Sequence, residues 1–169
     1  MGFLGFLFSK KEAPTRQSAS ILDTNDVGDI CSALSCLIGY AVYSLPPSEE
    51  QSGMLLVNID NDKKTTEIYA NSAMNRNWIK DSSNINDYNR LNVPKYVAEF
   101  LCQIPFENNG GGGGLKVILN TVPSSSSVKR KIDESKSLMP PYSDLYFNSK
   151  AYFIEGTNKF CINLDIVHE

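Results

Sequence analysis

Histidine is almost missing: the chain of 169 residues holds one, His168, the penultimate residue. Ser-His-Asp and Cys-His chemistry both need a positioned imidazole. A chain end is a poor place to hold one. Zinc ligand sets are missing too, since neither Cys₂His₂ spacing nor paired C-x-x-C occurs. No Walker loop is present: Gly110 to Gly114 is followed by Leu115-Lys116, ahead of a strand rather than a helix. No run of ~20 apolar residues exists to span a bilayer. The many asparagines form no N-x-[ST] sequon. Charge of one sign does not dominate either. The net charge of −3 excludes a polycation, so attraction to nucleic acid or anionic lipid has to come from local clusters. These absences predict a binding protein rather than an enzyme, with no cofactor and no metal.

What is present begins with cysteine. Cys31, Cys36, Cys102 and Cys161 each sit among apolar neighbours. Free cysteine is among the most buried residue types. Cys31 and Cys36 fall on one helical stretch, turned about 140° apart. Reduced thiols and a cytosolic compartment are expected. At the N-terminus, Phe3, Leu4, Phe6, Leu7 and Phe8 precede Lys10 and Lys11. A secretion signal has the opposite order, basic before apolar. Apolar side chains beside lysines suit a membrane surface, insertion into a neighbouring subunit, or a strand or helix packed on its own domain. Gly2 heads an acylation-like start, but Phe6 stands where that motif wants Ser or Thr.

Residues 1–20 therefore read as a flexible apolar and basic arm, and residues 21–169 as a single globular domain. Asp23 or Thr24 is the expected cap of a helix with apolar positions from Val27 to Val42 at helical spacing. Met54 to Ile59 and Thr65 to Ala70 read as strands around the turn Asp60-Asn-Asp62. That turn resembles a calcium loop, but it lacks the required glycine and glutamate. Residues 71–92 read as irregular, pinned by Trp78 and Ile79. Asn92 is expected to cap a second helix opened by Pro94, with Val97, Phe100, Leu101 and Ile104 inward. Leu115 to Val122 reads as a strand, and mobile loops are expected near 107–114 and 123–137. Lys150 to Glu155 and Lys159 to Val167 read as two late strands, joined in a hairpin at Gly156-Thr-Asn158. The fold class is α+β: an antiparallel sheet with two main helices packed on it.

Two more segments carry binding signals. Pro140-Pro-Tyr142-Ser-Asp-Leu145 contains a Y-x-x-L pattern, with Tyr142 and Leu145 as candidates for docking a host trafficking factor. The cluster Lys129, Arg130 and Lys131 is a candidate contact for phosphate or nucleocapsid, or else a solvated face.

In layout the chain resembles the matrix proteins of rhabdoviruses, especially the short ones of plant-infecting members. Locally, Leu91-Asn-Val-Pro94, Phe100, the glycine run and Leu115-Lys-Val-Ile-Leu119 are similar to a stretch in vesiculovirus matrix proteins. The proline pair, however, lies late and lacks the spacer of P-P-x-Y. The resemblance implies a homo-oligomer beneath a lipid envelope that contacts the nucleocapsid and promotes assembly and budding. It implies a location in the virion, the host cytoplasm and the cytoplasmic face of membranes. It leaves direct RNA contact open. The alternative is a host cytosolic peripheral-membrane adaptor or trafficking subunit without catalytic activity.

Overall fold

A computed structural model describes residues 22–43, 52–72, 78–108, 114–134, 145–153 and 159–168, the last two segments as backbone. The first element is α1 (Val27–Tyr43). Its cap is Asp26 rather than Asp23 or Thr24: Asp26 Oδ1 accepts from the Asp29 N–H at 2.8 Å. Asp23 instead shapes the preceding turn, its Oδ1 accepting from Asn25 N–H at 2.8 Å. The helix is buried nearly all round: Val27, Ile30, Cys31, Leu34, Leu37 and Ile38 are joined by Ala33, Ser35 and Cys36. Ser35 satisfies its hydroxyl by donating to the Cys31 carbonyl at 2.8 Å. A helix covered on most sides needs several neighbours, and α1 has them.

One neighbour is the sheet. β1 (Ser52–Asp60) and β2 (Thr65–Ser72) form the expected hairpin. Its turn is set by Asp60 Oδ1, which accepts from the N–H groups of Asp62 and Lys63. Lys64 takes the left-handed conformation at φ 56°. This is turn chemistry, with the carboxylate turned to its own backbone. β4 (Leu115–Leu119) pairs with β2, and the two-residue β3 (Glu107–Asn108) pairs with β4. β5 (Leu145–Phe153) and β6 (Lys159–His168) form the late hairpin, and β6 pairs with β1. The sheet has six antiparallel strands in the order β3-β4-β2-β1-β6-β5. The fold class is α+β as expected.

Side chains alternate across the pleat. Leu55, Val57, Ile59, Ile68, Ala70, Leu115 and Val117 are buried with α1. Gly53 is part of that contact: a Cβ there would collide with Ile38 of α1. The opposite face carries Met54, Leu56, Tyr69 and Lys116, half-buried, and Ile118, 51% exposed.

Two helices appear where the sequence pattern reads as loop. Inside the stretch 71–92 lies α2 (Ile85–Arg90), capped by Asn84 Oδ1 on the Asn86 N–H at 3.0 Å. Asn92 is not the cap of the next helix. It closes α2 in the left-handed conformation at φ 62°. Asn92 N–H donates to Asn89 O, and Val93 N–H to Tyr88 O, the paired bonds of a Schellman end. α3 (Lys95–Cys102) then starts after Pro94 and buries Val97, Phe100 and Leu101 as expected. Trp78 and Ile79 do pin their segment, both being buried. Residues 125–134 are not a loop: α4 (Ser125–Glu134) begins at Ser124, whose Oγ accepts from Ser127 N–H at 3.3 Å. Both α3 and α4 also pack against α1, which itself lies on the sheet. Within the expected loop 107–114, residues 107 and 108 are strand. The strand expected over 115–122 stops at Leu119, where Thr121 O instead accepts from Thr66 Oγ1 at 2.6 Å.

Candidate functional site

The basic cluster on α4 is the predicted site that the structure resolves best, and it divides. Lys131 is not available to a phosphate. Its Nζ lies 2.8 Å from Asp26 Oδ1 and 2.8 Å from Asp29 Oδ1. Gly28, between those two acids, leaves room for the lysine stem, since a Cβ there would meet Lys131 Cδ. The lysine therefore ties α4 to the first turn of α1, where carboxylates also suit the positive helix end. Arg130 is exposed, with Nε 3.9 Å from Glu134 Oε1 one turn on. An exposed pair of that kind holds an arginine loosely. Lys129 lies on α4, and its side chain is outside the described residues.

The cluster has a definite electrostatic signature. Burial pushes the Asp26 carboxyl up, but bonds from Lys131 and the Asp29 and Gly28 N–H groups, with the lysine charge, bring it below its ordinary 3.8. Burial pulls Lys131 down, but the two carboxylates raise it above its ordinary 10.5. A depressed acid contributes stability that is present above its unfolded pKa and lost as pH falls through its folded one. A raised lysine contributes stability that is present below its unfolded pKa and lost as pH rises through its folded one. The tie is thus complete at neutral pH and fails below the ordinary 3.8 of Asp26 and above the ordinary 10.5 of Lys131. Lys131→Met should destabilise the fold by about 1–2 kcal/mol near neutral pH, between a solvated pair and a buried charged hydrogen bond. Urea melts across pH should show that gap closing toward pH 3. A constant gap would mean that the lost contacts are apolar.

The remaining candidates fall elsewhere. Phe3, Leu4, Phe6, Leu7, Phe8, Lys10 and Lys11 lie outside the described residues, as does Tyr142. Leu145 opens β5, register-paired with His168 on β6. The single histidine thus sits in a strand rather than at a loose end. Cys31 and Cys36 are buried thiols and Cys102 is a half-buried one, none of the three in a disulfide. Burial pushes the Cys36 thiol up to about 12 and raises Cys31 and Cys102 as well. Such thiols are protonated and inert at neutral pH. No group of metal-ligating side chains occurs among the described residues. No described helix is long and apolar enough to cross a membrane.

What sequence reasoning passes over is the second face of the sheet, half-buried apart from the exposed Ile118 among its apolar side chains. Met54, Leu56, Tyr69 and Ile118 share it, crossed by the Lys116–Glu67 ion pair at 3.7 Å. Gly114 is buried against the Tyr69 ring, where any Cβ would collide. That glycine lets the ring lie across the start of β4. The alternation in β1, β2 and β4 carries the signal, because Met54, Leu56, Tyr69 and Ile118 fall at outward positions among polar neighbours. Comparison with protein-family models, with curated proteins and with solved structures finds no match.

Proposed function

We propose that this chain is a viral matrix protein: a structural subunit that self-associates under a lipid envelope, contacts the nucleocapsid and promotes assembly and budding. The observation that carries self-association is the second face of the sheet. Ile118 is 51% exposed there, among half-buried Met54, Leu56 and Tyr69. Apolar side chains grouped on one exposed face mark a contact surface. The viral setting is supported by the resemblance in layout and by the apolar head with Lys10 and Lys11. Nucleocapsid contact falls to Lys129 and Arg130, because Lys131 is tied to Asp26 and Asp29.

Sedimentation of the full chain at rising concentration and falling salt tests the proposal. Growing assemblies are expected, and Ile118→Glu should suppress them without loss of folding. A fixed small species at every concentration would instead favour the adaptor reading.

A further inference from the structure

β5 ends the sheet at the side away from β3. Among the described residues, β5 pairs only with β6, through an unbroken register from Leu145↔His168 to Phe153↔Phe160. Its other edge, a row of backbone donors and acceptors, has no strand partner among the described residues. Exposed edges are ordinarily blunted by proline, by a bulge, by several charges or by shortness. β5 has nine residues, no proline, no bulge in its register and a single charge, Lys150.

The sequence Leu-Tyr-Phe-Asn-Ser-Lys-Ala-Tyr-Phe is self-complementary. Two antiparallel copies centred on Ser149 would oppose Leu145 to Phe153, Tyr146 to Tyr152, Phe147 to Ala151 and Asn148 to Lys150. Aromatic and apolar residues then meet across the strands, and each lysine meets an amide. This register uses all nine positions. Centring the pair on Lys150 instead would oppose two lysines, and centring it on Asn148 would leave Phe153 beyond the pairing.

We propose that the free edge of β5 joins two copies of this chain, antiparallel and two-fold symmetric about Ser149. The six strands of each copy then run into one continuous sheet. Such a contact is isologous and closes on itself, so it yields a dimer, and larger assemblies need a second surface. This deepens the self-association reading and rests on it.

The full chain carries the test. Asn148→Lys places a lysine opposite Lys150 of the second copy, twice per dimer. Within its own chain position 148 faces Asp165 on β6, so the fold should hold. Sedimentation velocity should show dimerisation weakened at least tenfold, with an unchanged circular dichroism spectrum. Adding Lys150→Glu should restore it. Under oxidation, Ser149→Cys should cross-link copies into dimers, because residue 149 opposes itself. Lys150→Cys should not, because its two copies lie about 8 Å apart, beyond disulfide reach of roughly 7 Å. If wild type stays monomeric throughout, this proposal and the self-association reading fall together. If wild type assembles but Asn148→Lys assembles equally, or position 149 gives no cross-link, the β5 edge is refuted and self-association stands.

Discussion

Replacing Tyr88 with alanine is expected to remove a large share of the stability of the domain. Tyr88 is fully buried at the C-terminal end of α2. Burial first, then the nearby Cys102, Asp87 and Asp81, raises its hydroxyl pKa, so it remains a neutral donor. It donates to the Ser82 carbonyl at 2.8 Å. Its own carbonyl accepts the Val93 and Leu91 N–H groups that close the helix. Truncating a buried aromatic costs about 3–5 kcal/mol, against a total of about 5–15 for a typical domain. A chain of this size then melts roughly 10 °C lower or more. Tyr88→Phe keeps the packing but leaves the Ser82 carbonyl without its partner, a loss of about 1–2 kcal/mol. Chemical denaturation of the two variants separates packing from hydrogen bonding. Equal losses would show that the hydroxyl carries the effect.

Deleting residues 1–9 is expected to abolish most membrane binding while leaving the melting temperature nearly unchanged. The segment holds Phe3, Leu4, Phe6, Leu7 and Phe8. Full burial of such side chains is worth roughly 1.5–3 kcal/mol each, and shallow interfacial insertion returns less. Five together still exceed the attraction of Lys10 and Lys11 to an anionic surface, about 1 kcal/mol each. Flotation with anionic liposomes should therefore fall sharply on deletion. Changing both lysines to alanine should weaken it less, and mainly at low salt. If deletion unfolds the domain, these residues belong to its core. If flotation persists, the membrane part of the proposed function is lost.

The parts of the fold legible in the sequence are those whose signal is local and repeated. α1 declares itself by apolar spacing over four turns, and β1 and β2 by alternation around a turn rich in Asp and Asn. The late hairpin is legible for the same reason. α2 is not, because six residues give fewer than two turns. Its stability comes from the Asn84 cap and from Asp87, whose carboxylate gathers the N–H groups of Lys80 and Asp81. α4 is hidden by three serines at its start, weak helix formers that compete with the backbone. Docking on α1 through buried Val128 and through Lys131 overrides that preference. Asn92 shows how one residue supports two local readings, since asparagine favours both the start of a helix and the left-handed turn that ends one. The candidate phosphate contact at Lys131 fails for a related reason. Its carboxylates come from a helix about a hundred positions earlier, a partnership no local pattern displays.

The place of β6 in the sheet has a consequence for the order of folding. β6 is the last described element along the chain, yet it lies inside the sheet between β1 and β5, pairing Ser52 with Asp165. A nascent chain can assemble α1, the β1–β2 hairpin, α3, β4 and α4 before that strand exists. Until it arrives, one side of β1 stays open along Ser52 to Asn58. Contacts that close so long a loop form slowly, and open strands meanwhile attract foreign partners. Truncation before residue 159 should thus yield a compact but aggregating fragment rather than a smaller soluble domain.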